Sequence, residues 1–245
     1  MNNATPLTGP VIVAAHGIYA QSATQMHNLG VMMVTDDGRA FRYAKAGATA
    51  LIPGQLQQSP AEDTTNFQDL TVTAPSAGDT SITTTTSVTL TKDQLAGGLL
   101  IIADATTNAG QVCRISGHEA ATAAVVTFEL DDPIVYAPTG TVKVDVQPNP
   151  YNGVIVNPTT LTSAPVGVPL IKITAEYYGW LQVRGACPLL SDGGFTIGLD
   201  VVASDGTAGS AEVIADGAAE LLPKVGTALT AAATTEYGLV FLKLS

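Results

Sequence analysis

The sequence predicts an all-β protein: a β-barrel or sandwich body carrying an inserted small β-barrel domain, with few and short helices. Three observations lead there. Period-two alternation of apolar and polar residues recurs along the 245 residues. Turns bearing Gly or Pro separate the alternating runs. No stretch keeps apolar residues at i, i+3, i+4 and i+7 over three turns with charge on the other side. The alternation is plainest in Leu70-Thr71-Val72-Thr73-Ala74 and in Thr141-Val142-Lys143-Val144-Asp145-Val146, where one face is apolar and the other polar.

Taken along the chain, strands are expected at 11–15, 31–34, 40–43, 99–103, 112–116, 125–130, 154–157, 168–174, 179–184, 201–203 and 238–244. Asp36-Asp37-Gly38 falls between two of these runs, and Ser191-Asp192-Gly193-Gly194 follows the run 187–190. Residues that tolerate positive φ belong at such hairpin ends. A short helix is expected at 92–96, with Thr91 as N-cap and Gly97-Gly98 as its stop. A second is expected to start near Ser22.

Two composition shifts mark boundaries. One is the polar stretch 55–68, with Pro60, Glu62 and Asp63; the other is Gln147-Pro148-Asn149-Pro150-Tyr151-Asn152-Gly153. The expected organisation is a body formed by 1–66 and 148–245, interrupted by a Thr-rich β domain at 67–147. Its tract 80–91 holds seven Thr in twelve residues, and β-branched side chains suit a pleated surface.

Charged residues make up 13% of the chain, about half the usual quarter, and the mean hydropathy is +0.28. An exterior so poor in charge is expected to face partner subunits, because large bare apolar patches on a monomer aggregate. Homo-oligomerisation follows. Net charge is −11, and the ten Lys and Arg are scattered along the sequence, so no basic patch is there to neutralise phosphates. No apolar run is long enough to span a membrane, and the start MNNATPLTGP lacks the basic and apolar regions of a signal peptide. Neither nucleic acid, nor membrane, nor self-directed export is expected. Cys113 and Cys187 stand in no metal-ligand spacing and are expected as reduced, partly buried thiols.

Catalysis needs a constellation. His16, His27 and His118 fall in no His-Glu-x-x-His or related spacing, and His118-Glu119 is expected as a hydrogen-bonded surface pair in a turn. No Gly-x-Ser-x-Gly elbow and no phosphate loop occurs. The pairs Asp36-Asp37, Glu62-Asp63 and Asp131-Asp132 point to opposite faces if extended, and turn capping explains them better than acid–base chemistry or a calcium loop. No catalytic residue, cofactor or metal is expected. Tyr177-Tyr178-Gly179-Trp180 holds the sole Trp; the reading favoured is that Trp180 and one Tyr anchor a core or a subunit interface, the rival being a sugar-stacking platform.

The run Asp37-Gly38-Arg39-Ala40-Phe41-Arg42-Tyr43-Ala44-Lys45-Ala46-Gly47-Ala48, with Leu56-Gln57-Gln58-Ser59-Pro60 after it, resembles the N-terminal part of structural proteins of tailed bacteriophages. So do Asn149-Pro150-Tyr151-Asn152-Gly153-Val154, Pro165-Val166-Gly167-Val168 and Tyr178-Gly179-Trp180-Leu181-Gln182. Val225-Gly226-Thr227-Ala228-Leu229 and Glu236-Tyr237 are similar to the rhythm of small β-barrel capsid cement, or head decoration, proteins. The resemblance spans most of the chain, though compact cement proteins are shorter. It implies a non-enzymatic accessory protein, assembled in the host cytoplasm, that sits on the capsid exterior of the virion. Its partners would be the major capsid protein and itself, as a trimer.

On that reading the interface residues are Met1, Asn2 and Asn3, in an N-terminal arm that orders on the shell, together with Tyr177, Tyr178 and Trp180. Two rivals stand beside it. A host-recognition or fibre-type module would bind glycan through the aromatic cluster or the inserted barrel. A virion glycan hydrolase would need two carboxylates about 5–10 Å apart.

Overall fold

The computed structural model describes residues 16–122, 125–214 and 222–244. They form an almost purely β structure with one helix of four residues. The expected strand at 11–15 and the residues Met1, Asn2 and Asn3 lie outside the described residues. The chain divides into two compact units, with breaks at Ala61/Glu62 and Asn149/Pro150.

The first unit is built from β1 (Met32–Val34), β2 (Ala40–Ala46), β3 (Gln57–Gln58), β12 (Asn152–Val156), β13 (Pro165–Pro169), β14 (Tyr178–Leu190), β15 (Asp200–Ala203), β16 (Ala211–Val213), β17 (Lys224–Ala228) and β18 (Tyr237–Lys243). The strand order is β1-β2-β12-β3-β13-β14-β18-β17-β15-β16, and β14 pairs with β2 as well. That extra pairing closes β2, β12, β3, β13 and β14 into a five-stranded ring. Ala44, Ala46, Val154, Val166 and Leu181 pack together with Leu51 and Ile173 as one core cluster.

The thirteen-residue strand β14 changes partner along its length. Tyr178 to Gln182 pair with β2, and Arg184 to Leu190 pair with β18; Arg184 is the changeover, standing opposite both Ala40 and Lys243. The ladder slips between Gln182 and Arg184. Gly185 follows with φ +90, and a Cβ there would meet Arg39 Cγ at 2.8 Å, so glycine is required where the strand changes partners. Beyond it, Cys187, Leu189, Val201, Val225, Val240 and Leu242 form a second core.

The second unit, Glu62–Asn149, holds α1 (Thr64–Phe67), β4 (Leu70–Val72), β5 (Ser81–Thr85), β6 (Thr89–Leu90), β7 (Leu99–Asp104), β8 (Val112–His118), β9 (Ala121–Thr122), β10 (Val125–Leu130) and β11 (Val142–Gln147). Six strands run β4-β11-β7-β8-β10-β5, every pair antiparallel. β4 and β5 lie side by side, and Thr84 Oγ1 donates to the Thr71 carbonyl at 3.3 Å, which brings the sheet round toward a barrel. Alternation is strict: Val142, Val144 and Val146 point in, and Lys143, Asp145 and Gln147 lie at the surface side. Ile82, Leu100, Ile102, Ile115 and Phe128 fill the centre. Each such side chain contributes about 1.5–3 kcal/mol on burial.

Several local expectations are corrected. Residues 92–96 form turns instead of a helix: Asp93 adopts φ +58, and the Thr91 hydroxyl donates to Gln94 Oε1 at 3.3 Å in place of accepting a helix N–H. Near Ser22 there is no helix but a β-bridge to Tyr178. The strand expected at 168–174 ends at Pro169, and Ile173 forms only a bridge with Leu51. The polar stretch 55–68, expected to mark a boundary, contains the break at Ala61/Glu62 together with β3 and α1, the latter capped by Asp63.

Candidate functional site

Of the expected cluster Tyr177-Tyr178-Gly179-Trp180, Tyr178 and Trp180 share one face of β14 and both pack on Tyr43, while Tyr177 precedes the strand. Trp180 is only 3% exposed and stands directly opposite Tyr43 on β2, with ring centroids 5.0 Å apart in an edge-on arrangement. Its Nε1–H donates to the His16 carbonyl at 2.8 Å. Trp180 is therefore a core anchor, as one arm of the favoured reading had it; so buried, it is not exposed as an interface residue or as a sugar platform. Tyr178 is half-buried and stacks on Tyr43, whereas Tyr177 lies exposed.

Two histidines join this core, a grouping the spacing did not reveal. His16 and His27 lie with ring centroids 6.2 Å apart, and each packs edge-on to Tyr43. Both ring nitrogens of His16 and Nε2 of His27 are shielded from solvent without a hydrogen bond of proper geometry. Burial holds the His16 imidazole below its ordinary value; the Gln21 backbone opposes the effect and His27 adds to it. A neutral imidazole wedged between aromatic rings acts as packing.

His118 is corrected from surface to core. Only 3% exposed, it accepts from the Leu95 N–H at Nε2 and contacts the Glu119 carbonyl through Nδ1 at 2.8 Å, so Nδ1 carries the proton. Asp37 caps the β1–β2 hairpin: bonds from the Thr35 hydroxyl, the Arg39 N–H and the Arg39 side chain hold its carboxyl down at about 2. Asp131 pairs with Arg114, and Asp63 caps α1. Among the described residues no three His, Cys, Asp or Glu side chains are grouped to hold a metal ion. Cys113 and Cys187 are free, buried thiols in different units.

What the surface does present is apolar. On β18, Tyr237, Leu239 and Phe241 all point outward and are 41–53% exposed. Opposite them on β14 stand Leu190, Pro188 and Ala186. In the second unit Val112, Val135 and Tyr136 are each more than half exposed and rim one shallow depression over Cys113. Gln111 fixes this rim by bonding both the Tyr136 carbonyl and its N–H. Sequence reasoning missed both surfaces, although the unbroken apolar character of 237–242 was the available signal. Comparison with protein-family models, curated proteins and solved structures finds no match to this chain.

Proposed function

We propose that this chain is a non-enzymatic structural protein of a tailed-bacteriophage virion. In this role it decorates and cements the outer capsid shell by bridging major capsid subunits, and it acts as a homo-oligomer. One observation carries the reading: each of the two compact units exposes its own apolar group, Tyr237, Leu239 and Phe241 on one and Val112, Val135 and Tyr136 on the other. A bridging protein needs at least two separate contact surfaces. A partner that binds only the assembled shell stabilises it by mass action, with the logarithm of concentration over Kd. The low charge and the excess of carboxylates suit an exterior position facing away from packaged DNA.

The test is to add purified protein to emptied capsids that lack it, then follow co-sedimentation and rupture temperature. Stoichiometric binding with a raised rupture temperature is the expected result. Absence of binding overturns cementing and favours the fibre-type, glycan-binding reading, in which exposed Tyr136 or Tyr177, and not Trp180, would do the stacking.

A further inference from the structure

We infer that the outer face of β14, β18 and β17 seats a second copy of this chain, in a contact that sets Arg184 and Lys243 against carboxylates of the neighbour. The inference names the surface behind the self-association proposed above and rests on that part of the reading.

A sheet wetted on one face alternates apolar inside and polar outside, as β11 does. The β14–β18 pair departs from this. Cys187, Leu189, Val240 and Leu242 fill the core side, yet Ala186, Pro188, Leu239 and Phe241 stand on the outer side, extended by Tyr237. Strands apolar on both faces belong in a sheet covered on both, and nothing within the described residues covers this one.

Charge decides what the cover is. At one end of the row Arg184 and Lys243 are direct cross-strand neighbours, a like-charge pairing that is unfavourable in isolation. Arg184 has no carboxylate partner among the described residues. Lys243 donates to Thr227 Oγ1 at 3.3 Å and shares the field of Asp200 with Lys224, whose Nζ lies 2.6 Å from that carboxylate. Arg39 borders the same depression as Arg184 and Phe241, and Asp37 neutralises it. Four of the chain's ten basic residues thus gather around two carboxylates, in a protein of net charge −11.

The rest of the chain carries the complementary sign. A two-fold axis running along the row would add cations to cations. A copy turned across the row instead sets the cationic end on the neighbour's Tyr237 end, beside exposed Glu236.

Sedimentation velocity of the full chain, without shells, tests this in low and high salt. Wild type should self-associate, more weakly as salt rises. Leu239→Asp with Phe241→Asp should be monomeric, and Arg184→Glu with Lys243→Glu should raise the dissociation constant roughly tenfold or more. Circular dichroism and Trp180 fluorescence matching wild type verify that each variant is folded; both pairs of residues are exposed, and the charge variant alone suffices if the other misfolds. Folded variants that associate like wild type overturn the assignment of the face while leaving self-association standing. A monomeric wild type overturns both, independently of whether shells are bound.

Discussion

The indole N–H of Trp180 donates at 2.8 Å to the backbone carbonyl of His16, 164 residues away in sequence. This bond fastens the segment that opens the described chain onto the aromatic core of Phe41, Tyr43 and Trp180. Trp180→Phe keeps most of the ring but leaves that carbonyl buried without a donor. The body should lose about 2–3 kcal/mol, from the orphaned acceptor and the smaller ring. Chemical denaturation followed by circular dichroism measures it, and an unshifted midpoint would show the bond to be unimportant.

His16 gives this core a pH dependence. Its folded pKa lies below the ordinary value of 6.5, chiefly because burial disfavours the cation. The unfolded chain therefore takes up a proton that the folded chain resists. Stability from this group is complete above 6.5 and is lost as pH falls from there through the folded pKa. The surrounding rings are Tyr43 and His27, and the electrostatic influence of His27 also disfavours the His16 cation. The melting temperature of wild type should fall between pH 7.5 and 5.5 by more than that of His16→Phe, whose difference between the two pH values should be smaller. Equal falls would refute the assignment.

Strands whose alternation is strict were legible from sequence: β11, β10 and the C-terminal strand fall where period two places them. β3 was not. Gln57 and Gln58 are wholly buried, their Nε2 groups bonded to the Gln55 carbonyl and to Thr162 Oγ1, and hydropathy cannot flag a strand whose core face is glutamine. The turns at 92–96 mislead because Thr91 and Gly97-Gly98 punctuate them like a helix, while Asp93 takes positive φ to present Oδ1 to the His118 N–H. Of the candidate site, the importance of 177–180 was visible, but its direction was not. Which face of β14 is covered depends on His16 and Tyr43, far away in sequence.

The two thiols should be inert in the folded protein. Burial pushes Cys187 up to about 12, against a small opposing influence of Arg39, and burial with the nearby Asp132 charge raises Cys113. The thiolate is the reactive form, so both are suppressed at neutral pH. Intact-mass measurement after alkylation at pH 7.5 should show no adduct on the native chain and two after denaturation. Native labelling of Cys113 alone would mean that the rim of Val112, Val135 and Tyr136 opens.

Gly226 faces the partner strand where a side chain has no room. A Cβ there would lie 2.3 Å from the Phe241 carbonyl oxygen and 2.8 Å from Val240 Cγ1, so Gly226→Ala must push β17 away from β18. Backbone cannot yield as a flexible side chain can, and the cost should be about 2–3 kcal/mol. Gly38→Ala is the control: its φ is +81, but open space surrounds it, so only backbone strain of about 1 kcal/mol is expected. Because Phe241 rides on the displaced strand, Gly226→Ala should also weaken self-association, whereas Gly38→Ala should leave it nearly unchanged. Denaturation midpoints and sedimentation on both variants separate the effects. If Gly38→Ala proved the more damaging in both, crowding at β17–β18 would not be what fixes this face.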